Sequence, residues 1–124
     1  MKQLMKIYET VLYDREDMPQ VDDIPRAIKD MKEKGIEIKK EKFKPSDMKP
    51  SQKTLTVDKV DSIAKDFDSK KMKDIILSLD DHIVDGHHRW AGAIKAGYGN
   101  DKVSIYRIML NRRMAIAAYN EVAK

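Results

Sequence analysis

The residues with the clearest capacity for chemistry lie together in Ile83-Val84-Asp85-Gly86-His87-His88-Arg89-Trp90. An apolar run passes through one glycine directly into a segment with helical spacing. Such a strand-Gly-helix turn exposes the first backbone N–H groups of the helix, and the helix dipole makes that end favourable to anions. The next three side chains are His87, His88 and Arg89, which when charged oppose the dipole by about 0.3 to 1 kcal/mol each. A bound phosphate is one reason for cations to sit there. Gly86, His87, His88 and Arg89 are therefore candidate phosphate or nucleotide ligands. Asp85 is placed to orient an attacking hydroxyl or water or to hold Mg²⁺, and His88 to move a proton, although an aspartate before a helix is equally a turn or capping residue. Adjacent helical positions diverge by about 100°, so His87 and His88 do not share a metal ion easily, and Asp80-Asp81 before His82 reads as a turn.

Other polar groups are weaker candidates. Ser51, Gln52 and Lys53 follow Pro50 at the end of a loop. Arg112 and Arg113 open another helical segment, again at the end unfavourable to cations, where they border an anion site, touch nucleic acid or meet acidic neighbours. Trp90 reads first as a packing residue and second as a pocket wall. The eight methionines are ordinary core fillers.

Composition bounds the rest. A chain of 124 residues has room for one domain and buries roughly two-thirds of its unfolded surface, enough for a core without disulfides or a structural metal. No cysteine is present, which removes thiol nucleophiles, cysteine-ligated metals and redox pairs. Apolar runs fall well short of the roughly 18 residues of a membrane helix, and the first residues lack a continuous apolar core, so the expectation is a cytoplasmic protein without a membrane partner. The net charge is +4, and the segment from Lys29 to Lys53, with nine lysines against five acids, carries all of it. Lys39, Lys40, Lys42 and Lys44 are thus candidate nucleic-acid contacts. The competing reading is a solvated helix face followed by a lysine-guarded edge strand, and Phe43 alone interleaves with the lysines.

Asp85-Gly86-His87-His88-Arg89-Trp90-x-Gly92-Ala93 after an Ile-Val strand resembles the signature of the ParB/sulfiredoxin fold, in the ParB-like nuclease domain variant common in phage-encoded proteins. Lys49-Pro50-Ser51-Gln52-Lys53 is similar to that family's Pro-x-Gln box, and the likeness spans roughly residues 45 to 110. It implies a small mixed sheet flanked by helices, and a Gly-x-x-Arg turn that binds the phosphates of ATP, another nucleotide or a phosphorylated substrate, with Ser51, Gln52 and Lys53 approaching them. The departures also carry information. Sulfiredoxins need a cysteine before the His-Arg pair, and none is here. ParB partition proteins carry further motifs for CTP and a helix-turn-helix domain, which this chain lacks. Free-serine kinases of the fold use a glutamate near the Pro-x-Gln box, where Gln52 stands, and an amide is no general base. The expectation is phosphoryl transfer or phosphoester hydrolysis by a nucleotide-dependent phosphotransferase, NTPase or nuclease, aided by Mg²⁺ at Asp85. The alternative is a non-catalytic DNA- or partner-binding module, in the host cytoplasm or in a virion if phage-encoded.

The elements that must position these groups follow from periodicity. Leu4, Ile7, Tyr8, Val11 and Leu12 predict an amphipathic helix ending near Asp14, with a turn at Asp17 to Gln20. Asp22 or Asp23 caps a helix with Pro25 in its first turn and Gly35 at its end. Ile36 to Lys39 alternates as a strand, Pro45 to Pro50 is a loop, and residues 56 to 67 are helical although Thr56 and Lys59 do not make a capping box. Ile75 to Leu79 and His82 to Val84 read as antiparallel strands, Gly86 to Ala96 as a helix stopped by Gly97, and Val103 to Ile108 as the last strand. Asn111 caps a final helix. The sum is a single α/β (α+β) domain over residues 1–124, with an N-terminal helical extension (1–35), a core (36–110) and a C-terminal helix (111–124).

Overall fold

The computed structural model describes residues 4–6, 21, 23–52, 54–68 and 71–123. Its elements run β1 (Leu4–Lys6), α1 (Ile24–Glu33), β2 (Ile38–Phe43), a 3₁₀ turn (Pro45–Asp47), β3 (Thr54–Thr56), α2 (Val57–Lys65), β4 (Ile75–Ser78), β5 (Ile83–Asp85), α3 (His87–Lys95), β6 (Val103–Ile108) and α4 (Arg112–Ala123). The mixed α/β class expected from the sequence is the one observed.

A four-stranded sheet in the order β2-β6-β4-β5 organises the chain. β4 lies parallel to β6, and β2–β6 and β4–β5 are antiparallel. Helices α1 and α4 cover one face of the sheet, where Ile28, Met31, Ile76, Ile108, Ile116 and Tyr119 pack together. On the other face Met48, Ile75, Leu77, Ile83, Val103 and Ile105 form a second cluster roofed by Phe43 and Trp90. Helix α2 then packs on α3 through Leu55, Val60 and Ala91. Gly92 lets the two helices approach, since a Cβ there would stand 2.5 Å from Ile63 Cγ2.

Local signals explain most boundaries. The Asp23 side chain accepts a hydrogen bond from Arg26 N–H and caps α1, Pro25 occupies its first turn, and Gly35 follows its end with φ +85°. Asn111 caps α4 through Met114 N–H at 3.0 Å. Two expectations are corrected. Leu4 to Lys6 is a strand, paired antiparallel with Thr54 to Thr56, and not the start of a helix. The remaining residues of that predicted helix, the turn at Asp17 to Gln20, and Asp22 lie outside the described residues. The strand expected over 36–39 is β2, over 38–43, because pairing with β6 carries it through Lys40 and Lys42. Helix α1 also packs into the main core, so it is part of the sheet's covering layer more than an extension of it.

Two long-range ties set the position of the site. Arg107, in β6, is buried and donates to Glu41 at 2.8 Å, to Asp81 at 2.7 Å and to the Ser78 carbonyl at 2.8 Å, which joins the edge strand to the β4–β5 turn. Asp81 holds that turn with φ +67°, a conformation aspartate tolerates better than most residues. Lys49 N–H then donates to Asp81 O at 2.8 Å and Ile83 N–H to Lys49 O at 2.7 Å. This lays residues 49 to 52 beside β5 and delivers them to the start of α3.

Candidate functional site

β5 enters α3 through Gly86, whose φ of +103° is a left-handed conformation that side chains resist. Trp90 N–H donates to Gly86 O at 2.9 Å and closes the first helical turn. The first amides of α3 precede the intrahelical ladder, as at any helix start. Arg89 folds back over this turn. A Cβ on Gly86 would lie 2.9 Å from Arg89 Nη2 and 3.2 Å from its Nε, so the glycine leaves the space that the guanidinium fills. Arg89 Nη2 donates to the Asp74 carbonyl at 3.2 Å and stands 3.9 Å from Asp85 Oδ1. Its Nε is buried and has no hydrogen-bond partner among the described residues, and the same holds for Ser51 Oγ.

The two histidines take positions that differ from the phosphate contacts expected of them. His87 is 3% exposed, and its Nε2 accepts hydrogen bonds from the backbone N–H groups of Ser51 (2.9 Å) and Gln52 (3.1 Å). Burial, with help from the neighbouring His88 and the Arg89 guanidinium, pushes its pKa down to about 3. His87 is thus neutral at pH 7, and its acceptor nitrogen holds the Ser51-Gln52 backbone. His88 does the same one step along the chain, accepting from Thr56 N–H at 3.1 Å. Neutral imidazoles do not oppose the helix dipole, which removes the need for an anion to explain them. Ser51 and Gln52 do reach the start of α3, at 0% and 1% exposure, and their backbone amides donate to His87 there. Lys53 lies outside the described residues.

Asp85 is also committed inward. Its Oδ2 accepts from the Tyr119 hydroxyl at 3.0 Å, and the carboxyl further accepts from the backbone N–H groups of Val21 and Gly86. Burial raises its pKa above the ordinary carboxylate range, against the opposing pull of Arg89 and these donors. Mg²⁺ prefers near-octahedral oxygen ligands and several retained waters, whereas this carboxyl is 6% exposed and ringed by donors. Among the described residues no three His, Asp or Glu side chains gather as a metal site. The residues at Asp85 do not fit a protein-held Mg²⁺. The Tyr119 bond ties α4 to the site strand, so Tyr119→Phe, which strips a donor from a buried carboxyl, is expected to lower the unfolding free energy by about 1 to 2 kcal/mol in urea titrations.

Arg89 opens onto a cleft of about 250 Å³ between the end of α2 and the chain leading into β4, where Ser62, Asp66, Phe67, Lys71 and Lys73 line it. Lys40 belongs to the same end of the sheet, since its Nζ lies 3.3 Å from Asp74 Oδ2. Lys39 and Lys42 are exposed on β2 and Lys44 is half-buried after it. Arg112 and Arg113 do not join them. They begin α4 beside Leu79 and Leu110, at the opposite end of β4 and about 13 Å away by strand rise, and Arg112 N–H donates to the Asp80 carboxyl. A capping aspartate therefore supplies the negative charge that this helix start favours. Sequence reasoning missed Lys71, Lys73 and Tyr119, because a polar connection and a helix stripe carry no mark of what they face. Among the described residues no helix is long and apolar enough to cross a membrane. No protein-family model, curated protein or solved structure matches this chain.

Proposed function

We propose that this chain is a ParB/sulfiredoxin-like domain that binds the phosphates of a nucleotide at the start of α3. The observation that carries the reading is Arg89: a guanidinium folded over a left-handed glycine at a helix N-terminus, with a buried Nε unpartnered among the described residues and an open side toward a cleft that also holds Lys71 and Lys73. Fixed donors of this kind suit phosphate oxygens, which accept bidentate guanidinium bonds and backbone amides together. The resemblance of the Asp85 to Arg89 turn to that family supports the same reading independently of the cleft. The geometry favours binding over catalysis. Asp85 and His88, the residues expected to move protons or hold a metal, already use acceptor atoms in structural bonds. If phosphoryl transfer occurs here, it rests on positioning and charge stabilisation by Arg89 and the α3 amides.

The test is calorimetric titration of the protein with ATP, CTP, GTP and pyrophosphate, each with and without Mg²⁺, together with thermal shifts. Arg89→Ala removes one charge-assisted contact and is expected to weaken the best of these ligands about tenfold or more. Unchanged affinity in that variant, or no binding of any of the four by the wild type, overturns the reading.

A further inference from the structure

We infer that the nucleotide bound at α3 belongs to a single strand of nucleic acid, whose chain continues along a basic groove between α1 and the sheet. This deepens the phosphate-binding reading and rests on it. Three depressions join end to end. The cleft at Arg89 shares Met72 and Lys73 with a second of about 230 Å³, and that one shares Pro25 and Tyr106 with a third of about 490 Å³ against α1.

Charge and surface chemistry point to the occupant. The third depression carries Lys29 and Lys32, one turn apart on the exposed side of α1, and Lys73 marks the passage to Arg89. The acids along the way are Asp66 and Asp68 in the Arg89 cleft, Asp74 at the passage and Glu33 against α1, and the Asp74 carboxylate is engaged by Lys40. Five cations, Arg89, Lys71, Lys73, Lys29 and Lys32, line the groove against these four acids, one of which is already paired. Between them the floor is apolar and aromatic: Pro25, Met72 and the half-buried Tyr106 ring, over which Lys40 Nζ sits 4.9 Å from the centroid. In sequence Tyr106 stands more than sixty positions from Lys40, and β2–β6 pairing sets the two directly opposite one another. Alternation of cations with a stackable ring and apolar floor is the chemistry that holds flexible phosphodiester chains, which offer both charge and base faces. An acidic peptide would use the lysines and leave the floor unmatched.

The experiment follows fluorescence anisotropy of labelled oligothymidylate and oligouridylate, about 12 nucleotides long, at about 50 and about 200 mM salt, with polyglutamate as competitor and pyrophosphate binding measured in parallel. Lys29→Gln/Lys32→Gln alters two exposed side chains, so its fold is safe. It is expected to weaken oligonucleotide binding about tenfold and to lower the salt slope by about 1.4, while pyrophosphate binding stays as in the wild type. Arg89→Ala is expected to weaken both ligands. Oligonucleotide binding indifferent to the lysine pair, or displaced by polyglutamate at equal charge, overturns the groove. A wild type that binds pyrophosphate and no oligonucleotide overturns the groove alone, and one that binds neither overturns the phosphate site as well. Preference between the two oligonucleotides then separates DNA from RNA as the source.

Discussion

His87→Leu is expected to lower the unfolding free energy by about 2 to 5 kcal/mol, a large share of the stability of a domain this size. Leucine fills nearly the same volume, so the loss is not a cavity effect. It arises because the backbone N–H groups of Ser51 and Gln52 both end on His87 Nε2, and leucine leaves two buried donors with no acceptor. An unmet buried donor costs about 1 to 3 kcal/mol. His87→Gln is the companion variant, since its side-chain oxygen offers an acceptor near the same place, and its loss should be clearly smaller. The pair also separates the pH dependence. His87 titrates near 6.5 when unfolded and at about 3 when folded, so between those values the unfolded chain binds the extra proton. Stability from this group is full above about pH 6.5 and is lost as pH falls toward 3, by up to about 1.4 kcal/mol per unit. The raised pKa of Asp85 acts with the opposite sign, favouring the folded state once acid protonates it, and softens only the acidic end of the curve. Urea midpoints measured from pH 7.5 down to pH 5 should fall for the wild type and stay nearly level for His87→Gln. A level wild-type curve, or a leucine variant as stable as the wild type, would mean that the imidazole does not hold this loop.

The histidines show where sequence reasoning reaches its limit. The turn itself is legible: an apolar strand, one glycine and a helical spacing leave few alternatives, and Gly86 takes the left-handed conformation that the pattern demands. What the pattern cannot display is the partner. A His-His-Arg run at a helix start reads as three cations awaiting an anion, yet two of them are neutral acceptors for backbone that arrives from Ser51, Gln52 and Thr56. That backbone arrives because of the Lys49 to His82 bridge, a contact of a loop with a strand that no periodicity announces. Capped helices were the easier part, since Asp23 and Asn111 act within three residues of themselves. The pairing of Leu4 to Lys6 with Thr54 to Thr56 was not legible, because three-residue strands fifty positions apart are too short for alternation to declare them. Tyr119 and Tyr106 illustrate the same limit on side chains. One reads as a core residue and turns out to hold Asp85. The other sits between Ile105 and Arg107, and nothing in that strand announces the Lys40 that sheet pairing sets opposite it.

Gly86→Ala is expected to destabilise the fold by about 1 to 3 kcal/mol and to abolish most phosphate binding with it, because one atom disturbs both. The backbone at φ +103° is strained for any side chain, and the added Cβ would meet Arg89 Nη2 at 2.9 Å, Arg89 Nε at 3.2 Å and Ile75 Cγ1 at 3.2 Å. Ile75 is fixed in the core of the sheet, whereas Arg89 ends in a flexible guanidinium, so the arginine is the group that yields. Once it swings out it loses the Asp74 carbonyl and its seat over the α3 amides. Two effects of this origin cannot add. In the Arg89→Ala background the alanine at 86 has no guanidinium to displace, so its further cost to pyrophosphate binding should nearly vanish, while its backbone strain remains visible in urea. A double-mutant cycle on both quantities reads this directly, with strong coupling in affinity and weaker coupling in stability. Independent, additive losses of affinity would show that Gly86 serves the ligand by some route other than Arg89, and would move the centre of the site from the guanidinium to the helix amides.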